Sequence, residues 1–233
     1  MSEKELFWLN SLKDAKTVLE KYNCNYFLDT GTLLGAIRDN KFIPWDNDID
    51  LGVVDFNGNK KILINMAREF RALGYNVSVT FHNIYISDKT GKLDLGIKFY
   101  EVENGSYIAH MGKVNGSKTK AAIHLYLSDD FVCKKGSGRF GIIGFFAGIL
   151  HKIRWAIPSS FKESYLLKGM KYEDVVASIP SVFLSAFTSF QFYKEDFSVP
   201  LNYIKYIEHR YGVNWRTPNK NYDYTKDDKS TIK

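Results

Sequence analysis

The sequence is poor in the residues that build cross-linked, fibrous or membrane-spanning chains. Only two of its 233 residues are cysteine, Cys24 and Cys133, and neither lies in a Cys-x-x-Cys or Cys/His cluster. That excludes a disulfide framework and argues against a structural zinc site. Two isolated thiols fit a reducing compartment. Five prolines and 17 glycines leave no room for a collagen-like repeat. No apolar run reaches the length of about 18 residues that a membrane-crossing helix needs. The nearest is FGIIGFFAGIL at 140–150, cut short by His151, Lys152 and Arg154. The start of the chain, MSEKEL, is polar and acidic and does not read as a secretory leader.

What is present suits an ordinary globular chain. Hydrophobic residues make up 45% and charged residues 25%, enough for an ordinary buried core. The formal net charge is +6, unevenly spread. Residues 1–110 are slightly acidic, 111–171 carry more than the whole net basic excess, and 172–233 are balanced. A local basic surface favours phosphate-bearing partners or anionic headgroups, though a solvated lysine-rich face explains it equally well. The apolar block within 134–157 lies between basic flanks. It reads either as a buried core helix or as an interfacial helix on an anionic membrane.

Periodicity divides the chain. Ser2 and Glu5 have capping-box spacing before a helical stripe that runs to about Tyr22. Residues 25–28 read as a strand, Thr30-Gly31-Thr32 as a tight turn, and 33–38 as the start of a second helix. From Asp46 to Val53 an alternating strand places Asp46, Asp48 and Asp50 on one face. Ile62, Met66, Phe70 and Leu73 mark a helix ended by Gly74. Three strands follow at 76–81, 84–87 and 93–100, and a fourth at 106–110 after the Asn104-Gly105 turn. Residues 140–178 read as mainly helical, 183–197 as one or two strands, and 202–211 as a helix closed by Gly212. Residues 219–233 read as a frayed polar tail.

Three aspartates on one strand face repel one another and call for a cation. Oxygen-only donors select Mg²⁺, Mn²⁺ or Ca²⁺. An EF-hand is excluded, because Leu51 and Asn57 stand where its glycine and glutamate belong. The Asp29-Thr30-Gly31 triplet matches the aspartic-protease motif, but that chemistry needs two such aspartates and leaves the later cluster unexplained. A third reading uses all of these features. A Gly-Thr turn after a strand, an Asp-x-Asp pair on the next strand and a third carboxylate on a later one form the layout of the nucleotidyltransferase fold. There carboxylates hold Mg²⁺ over a nucleotide's phosphates.

The run GTLLGAIRDNKFIPWDNDIDLGV at 31–53 closely resembles the signature of the LicD/fukutin family. Lys92-Leu93-Asp94-Leu95 with Phe99-Tyr100-Glu101 resembles the family's later Asp-bearing strand. Val199-Pro200-Leu201-Asn202-Tyr203, Tyr211-Gly212, Trp215 and Pro218 resemble its closing motif. Gly96 departs from the pattern, because many relatives have a hydrophobic-Asp-Ile-Phe-Pro stretch here. Residues 134–157 align with no family motif.

The resemblance implies a nucleotidyltransferase-like mixed sheet flanked by helices. A core at 1–110 would be followed by a basic, largely helical insert at 111–180, the closing motif at 181–218 and the tail at 219–233. It also implies a metal-dependent phosphotransferase that moves phosphocholine or a polyol phosphate from a CDP-activated donor to a hydroxyl of a cell-surface glycan or its lipid-linked precursor. Asp48 and Asp50 would bind Mg²⁺ or Mn²⁺, with Asp46 as ligand or neighbour, and Asp94 would complete the metal site or act as general base. Gly31 and Thr32 would contact donor phosphate, and Arg38 would balance its charge. The implied partners are the CDP donor and a glycan or glycolipid acceptor, with no nucleic acid. The implied location is cytoplasmic, with peripheral contact at the inner membrane face through 134–157. Transfer of a nucleoside monophosphate from an NTP, and a non-catalytic nucleotide- or glycan-binding module, are the rival readings.

Overall fold

The computed structural model describes residues 1–56, 60–79, 83–88, 93–110, 156, 158 and 176–232. The expectations for 134–157 and for most of the 111–180 insert lie outside the described residues.

Helix α1 (Glu3–Lys21) begins with the expected reciprocal cap. Ser2 accepts the Glu5 backbone N–H, and the Glu5 carboxylate accepts the Ser2 N–H. Its inner stripe buries Trp8, Leu12, Ala15 and Leu19. Strand β1 (Asn25–Leu28) follows, then α2 (Thr30–Asp39), β2 (Ile49–Val54) and α3 (Lys60–Ala72). Gly74, at φ +93°, takes the left-handed turn that ends α3. Next come β3 (Asn76–Val79), β4 (Asn83–Ser87), β5 (Asp94–Phe99), β6 (Glu101–Glu103) and β7 (Ser106–His110). The 104–105 turn between β6 and β7 has positive φ at both residues, as an Asn-Gly hairpin requires. After the insert, the chain forms β8 (Val176–Pro180), α4 (Ser181–Leu184), β9 (Phe187–Phe192), β10 (Glu195–Pro200), α5 (Tyr203–Tyr211) and β11 (Thr231–Ile232).

The main sheet has the order β1-β2-β5-β4-β3. Only β2 and β5 are parallel, pairing Ile49 with Leu95 and Asp50 with Gly96. Both central strands are largely buried, as paired strands covered on two faces must be. The second sheet has the order β11-β8-β7-β6, and β9 and β10 form a separate hairpin. Helix α1 lies beside α3 and against β1, while α2 rests on β2 and reaches α5. Phe27 of β1 joins the pieces, with its ring 5.7 Å from Tyr100, 5.5 Å from Phe187 and 6.1 Å from Tyr206.

The architecture is the expected mixed α/β sheet flanked by helices. The strands expected at 183–197 are present as the β9–β10 hairpin, and β8 (Val176–Pro180) forms where the end of a mainly helical stretch was expected. The β-branched and aromatic residues there favour a pleated surface. The tail is not frayed: Asp228 and Ser230 are buried, and β11 pairs with β8. Its polar composition hides this order, because the polar groups are satisfied internally.

Candidate functional site

A cavity of about 900 Å³ opens where α2 meets the leading end of β2. Its walls bring together Gly31, Arg38, Asp46, Asp48, Asp50 and Lys98. The aspartates reach it by a different route from the one read in the sequence. The strand starts only at Ile49, so Asp46 and Asp48 lie in the preceding turn, where the Asp46 N–H donates to the Ile43 carbonyl at 3.0 Å.

Helix α2 begins three residues earlier than expected, so Gly31 and Thr32 form its first turn. Asp29 is the N-cap and accepts the Thr30 N–H at 2.7 Å. Thr30 has φ +42°, an unfavourable conformation for a β-branched residue. Its hydroxyl donates to the Asp50 carboxylate. The Asp50 N–H donates to Thr32 Oγ1 at 2.9 Å, and the Asp29 N–H donates to the Asp50 carbonyl at 3.1 Å. The helix start and the Asp-bearing strand are thereby locked together.

Gly31 is needed for close approach. A Cβ there would run into Asp46 Oδ2, so the carboxylate lies directly against the first turn of α2. Thr32 is buried and off the cavity wall, so its hydroxyl serves to position Asp50. Arg38 lines the cavity with its guanidinium on Asp39, 2.7 Å from Nη2 to Oδ2.

The carboxylates crowd one another. Asp46 and Asp48 lie close enough for each to shift the other's ionisation. Asp48 reaches solvent at the mouth of the cavity. The protein surrounding its carboxyl, and next the charges of Asp50 and Asp46, push it up to about 8. Asp46 is raised as well, first by burial. Lys98, on β5, places Nζ 3.1 Å from Asp50 Oδ2 and acts as a built-in positive charge. Sequence reading missed this lysine, although its alternation with Gly96 on the face opposite Leu95 and Ile97 could have found it. Gly96 makes room for Asp50, whose Oδ1 would lie 3.1 Å from a Cβ there.

Asp94 shares the Gly96–Lys98 face of β5 one register step further out, but it is exposed and off the cavity wall. Among the described residues no three Asp, Glu, His or Cys side chains converge into a ready-made metal cage. The donors nonetheless fit a hard divalent cation in chemistry. They are oxygen-only, mutually repelling, and one of them already accepts a cation in Lys98.

Asp29 proves to be a structural anchor. It is fully buried and accepts Tyr100 Oη at 2.7 Å, Tyr206 Oη at 2.6 Å and Arg210 Nη1 at 2.8 Å. Burial alone would raise its carboxyl. The charges of Arg210 and Lys98 and the two tyrosine hydroxyls outweigh burial and hold it below the usual range. Arg210 also binds Asp228 Oδ2 through Nε at 3.0 Å and Nη2 at 2.7 Å, and Asp228 in turn accepts the N–H and hydroxyl of Ser230.

A Gly-led helix start, the carboxylate cluster and a second cation-bearing strand thus meet in one cavity. Residues 23–126 match the family model described as LicD/FKTN/FKRP, nucleotidyltransferase domain. This stretch, a little under half of the chain, is similar to LicD-family nucleotidyltransferase domains. The similar proteins include the uncharacterized protein RP689 of Rickettsia prowazekii, 37% identical over 76 residues, which are 33% of this chain and 28% of that one. The lipopolysaccharide cholinephosphotransferase LicD of Haemophilus influenzae is 47% identical over 51 residues, 22% of this chain and 19% of that one. The mouse ribitol 5-phosphate transferase FKRP is 53% identical over 36 residues, 16% of this chain and 7% of that one. The matches thus span a third or less of these relatives. Every carboxylate of the cavity cluster, together with Asp29 and Lys98, falls inside the matched LicD-family stretch, whereas Arg210 and the tail fall outside it.

Proposed function

We propose that the protein is a LicD-type phosphotransferase that moves a phospho-alcohol from a CDP-activated donor to a hydroxyl of a glycan or its lipid-linked precursor. The observation that carries this reading is the meeting of Asp46, Asp48 and Asp50 with Arg38 and Lys98 on one cavity wall at the start of α2. Such a wall suits a pyrophosphate held between carboxylate-bound cation and fixed positive charge.

Asp48 and Asp50, with Asp46 beside them, would hold Mg²⁺ or Mn²⁺. When bound, the metal would neutralise phosphate charge and polarise the reacting oxygen. Arg38 and Lys98 would orient the phosphates, and the first turn of α2 would fix Asp46 and Asp50 relative to each other. The acceptor oxygen would attack the distal phosphorus. A new O–P bond would form, the bond from that phosphorus to the bridging oxygen would break, and CMP would leave with the bridging oxygen. The hydroxyl proton would go to the cavity carboxylate nearest it, because Asp94 lies off the cavity wall.

The test is CMP release from CDP-choline, CDP-glycerol or CDP-ribitol with glycan acceptors. Release should require Mg²⁺ or Mn²⁺, stop under EDTA, and fall at least about a hundredfold in Asp48→Asn and Asp50→Asn. Full activity of both variants under chelator would sink the mechanism. Pyrophosphate release from an NTP with the same acceptors would move the assignment to nucleotidyl transfer.

A further inference from the structure

Asp50 already has a cation. Lys98 Nζ lies 3.1 Å from its Oδ2, and the Thr30 hydroxyl donates to the same oxygen. Oδ1 lies against Gly96 of β5, 3.1 Å from where a Cβ would stand. The pair is largely withdrawn from solvent, with 11% of the Lys98 side chain and 18% of the Asp50 side chain exposed. Charges in such surroundings are screened far less than charges on the surface. Lys98 also acts beyond Asp50, because its charge favours the ionised forms of Asp48 and of the buried anchor Asp29.

A lysine in this place has two consequences. The first is competition. When Asp50 takes up a divalent cation, Lys98 Nζ must either leave Oδ2 or stay as a like charge at close range. Either alternative weakens uptake of the cation by the unliganded protein. The second is mobility. Lys98 is rooted in β5 opposite Gly52 of β2, but its ammonium ends a flexible four-carbon stem. Thr30 holds Asp50 from the α2 side, so Nζ can swing away without freeing the carboxylate. Lys98 lines the cavity, so an anion that enters there can receive the ammonium. Arg38 differs, because three N–H···O contacts from Nε and Nη2 hold its guanidinium on the adjacent Asp39.

Building on the phosphotransfer reading, we infer that Lys98 is a resident counter-ion of Asp50 that is exchanged when the site loads. Before loading, it neutralises Asp50 and keeps the carboxylates together. On loading, Lys98 passes from Asp50 to the donor phosphates as Asp50 takes up a divalent cation. Donor and cation each remove the obstacle that the Lys98–Asp50 pair presents to the other, so each strengthens the other's binding by the same factor.

The experiment is calorimetric titration of the full chain with Mn²⁺ and with CDP, each alone and in the presence of the other, on wild type, Lys98→Met and Lys98→Arg. Contact between cation and phosphate would couple the two ligands by itself, so the variants decide. Lys98→Met should bind Mn²⁺ alone at least about tenfold tighter than wild type, because a like charge has gone from close range. In Mn²⁺ it should bind CDP at least about fivefold more weakly. CDP should therefore strengthen its Mn²⁺ binding by a smaller factor than in wild type. Lys98→Arg keeps the charge and can grip a carboxylate through two N–H groups, so it should bind Mn²⁺ alone more weakly than wild type. That variant decides the matter if Lys98→Met fails to fold. Unchanged or weaker Mn²⁺ binding by folded Lys98→Met, the result for a lysine that only supports the fold, overturns the inference and leaves phosphotransfer standing. Unchanged or tighter Mn²⁺ binding by Lys98→Arg does the same. No binding of Mn²⁺ or of CDP to wild type, alone or together, removes the phosphotransfer reading and this inference with it.

Discussion

At the residue scale, the site depends on how closely a carboxylate can approach a backbone. Gly31 has an ordinary helical position, and its importance comes from Asp46 lying where a side chain would go. Gly31→Ala should therefore displace Asp46 and disturb the neighbouring Asp48. The helix itself should gain slightly, because alanine is the better helix former by about 1 kcal/mol. The expected outcome is a clear loss of Mg²⁺-dependent donor binding by calorimetry, at least about tenfold, with a melting temperature within a few degrees of wild type. A variant that binds donor normally would show that the Asp46 contact is not needed. Thr30 carries the complementary constraint, a left-handed backbone held in place by its hydroxyl on Asp50 and by the Asp29 cap.

At the element scale, one buried ion network ties α2 to α5. Arg210 sits between Asp29 and Asp228 with essentially no solvent exposure on any of the three. Removing the cation would leave two carboxylates buried without a counter-charge. Arg210→Met should destabilise the fold by about 3–5 kcal/mol in urea titrations, and a loss below about 1 kcal/mol would show that the network is dispensable. The same network fixes a pH dependence. The folded-state pKa of Asp29 lies below its ordinary value, so its charged form favours folding. That stability is fully present above the unfolded-state value of about 3.9 and is lost as pH falls through the lower folded-state value. Thermal melts from pH 6 downward should therefore show an acid limb, and Asp29→Asn should flatten it.

At the scale of the whole molecule, the tail completes the cavity. Residues 217–228 contribute to its wall, Asp228 holds Arg210, and β11 adds an edge strand to β8. Truncation after residue 222 would remove Asp228, Ser230 and β11 together. The melting temperature should fall by several degrees or more, and donor affinity should fall with it, because Arg210 would lose its second partner. Unchanged melting and binding would mean that the tail is ornamental to the site. Among the described residues no helix is long and apolar enough to cross a membrane.

Much of the site could be read from the sequence, because its parts are local. The capping box at Ser2 and Glu5, the alternation along β5, the Asn104-Gly105 hairpin and the 31–53 signature each depend on neighbouring residues only. Spacing alone placed Asp46, Asp48 and Asp50 near one another, and the short loop between α2 and β2 kept them so. Other features depended on the tertiary structure. Asp29 passed for a protease decoy until Tyr100, Tyr206 and Arg210, from distant parts of the chain, closed around it. Thr32 was expected to touch phosphate, whereas its hydroxyl meets the Asp50 backbone across two elements. Lys98 became a partner of Asp50 only through the parallel β2–β5 register. The tail's polar composition gave no sign of burial, because its buried charge, Asp228, is neutralised by Arg210 on α5. Local pattern determined which elements form and which carboxylates cluster. Long-range electrostatics and cross-strand register decided which charges pair and which side chains the cavity can present to a ligand.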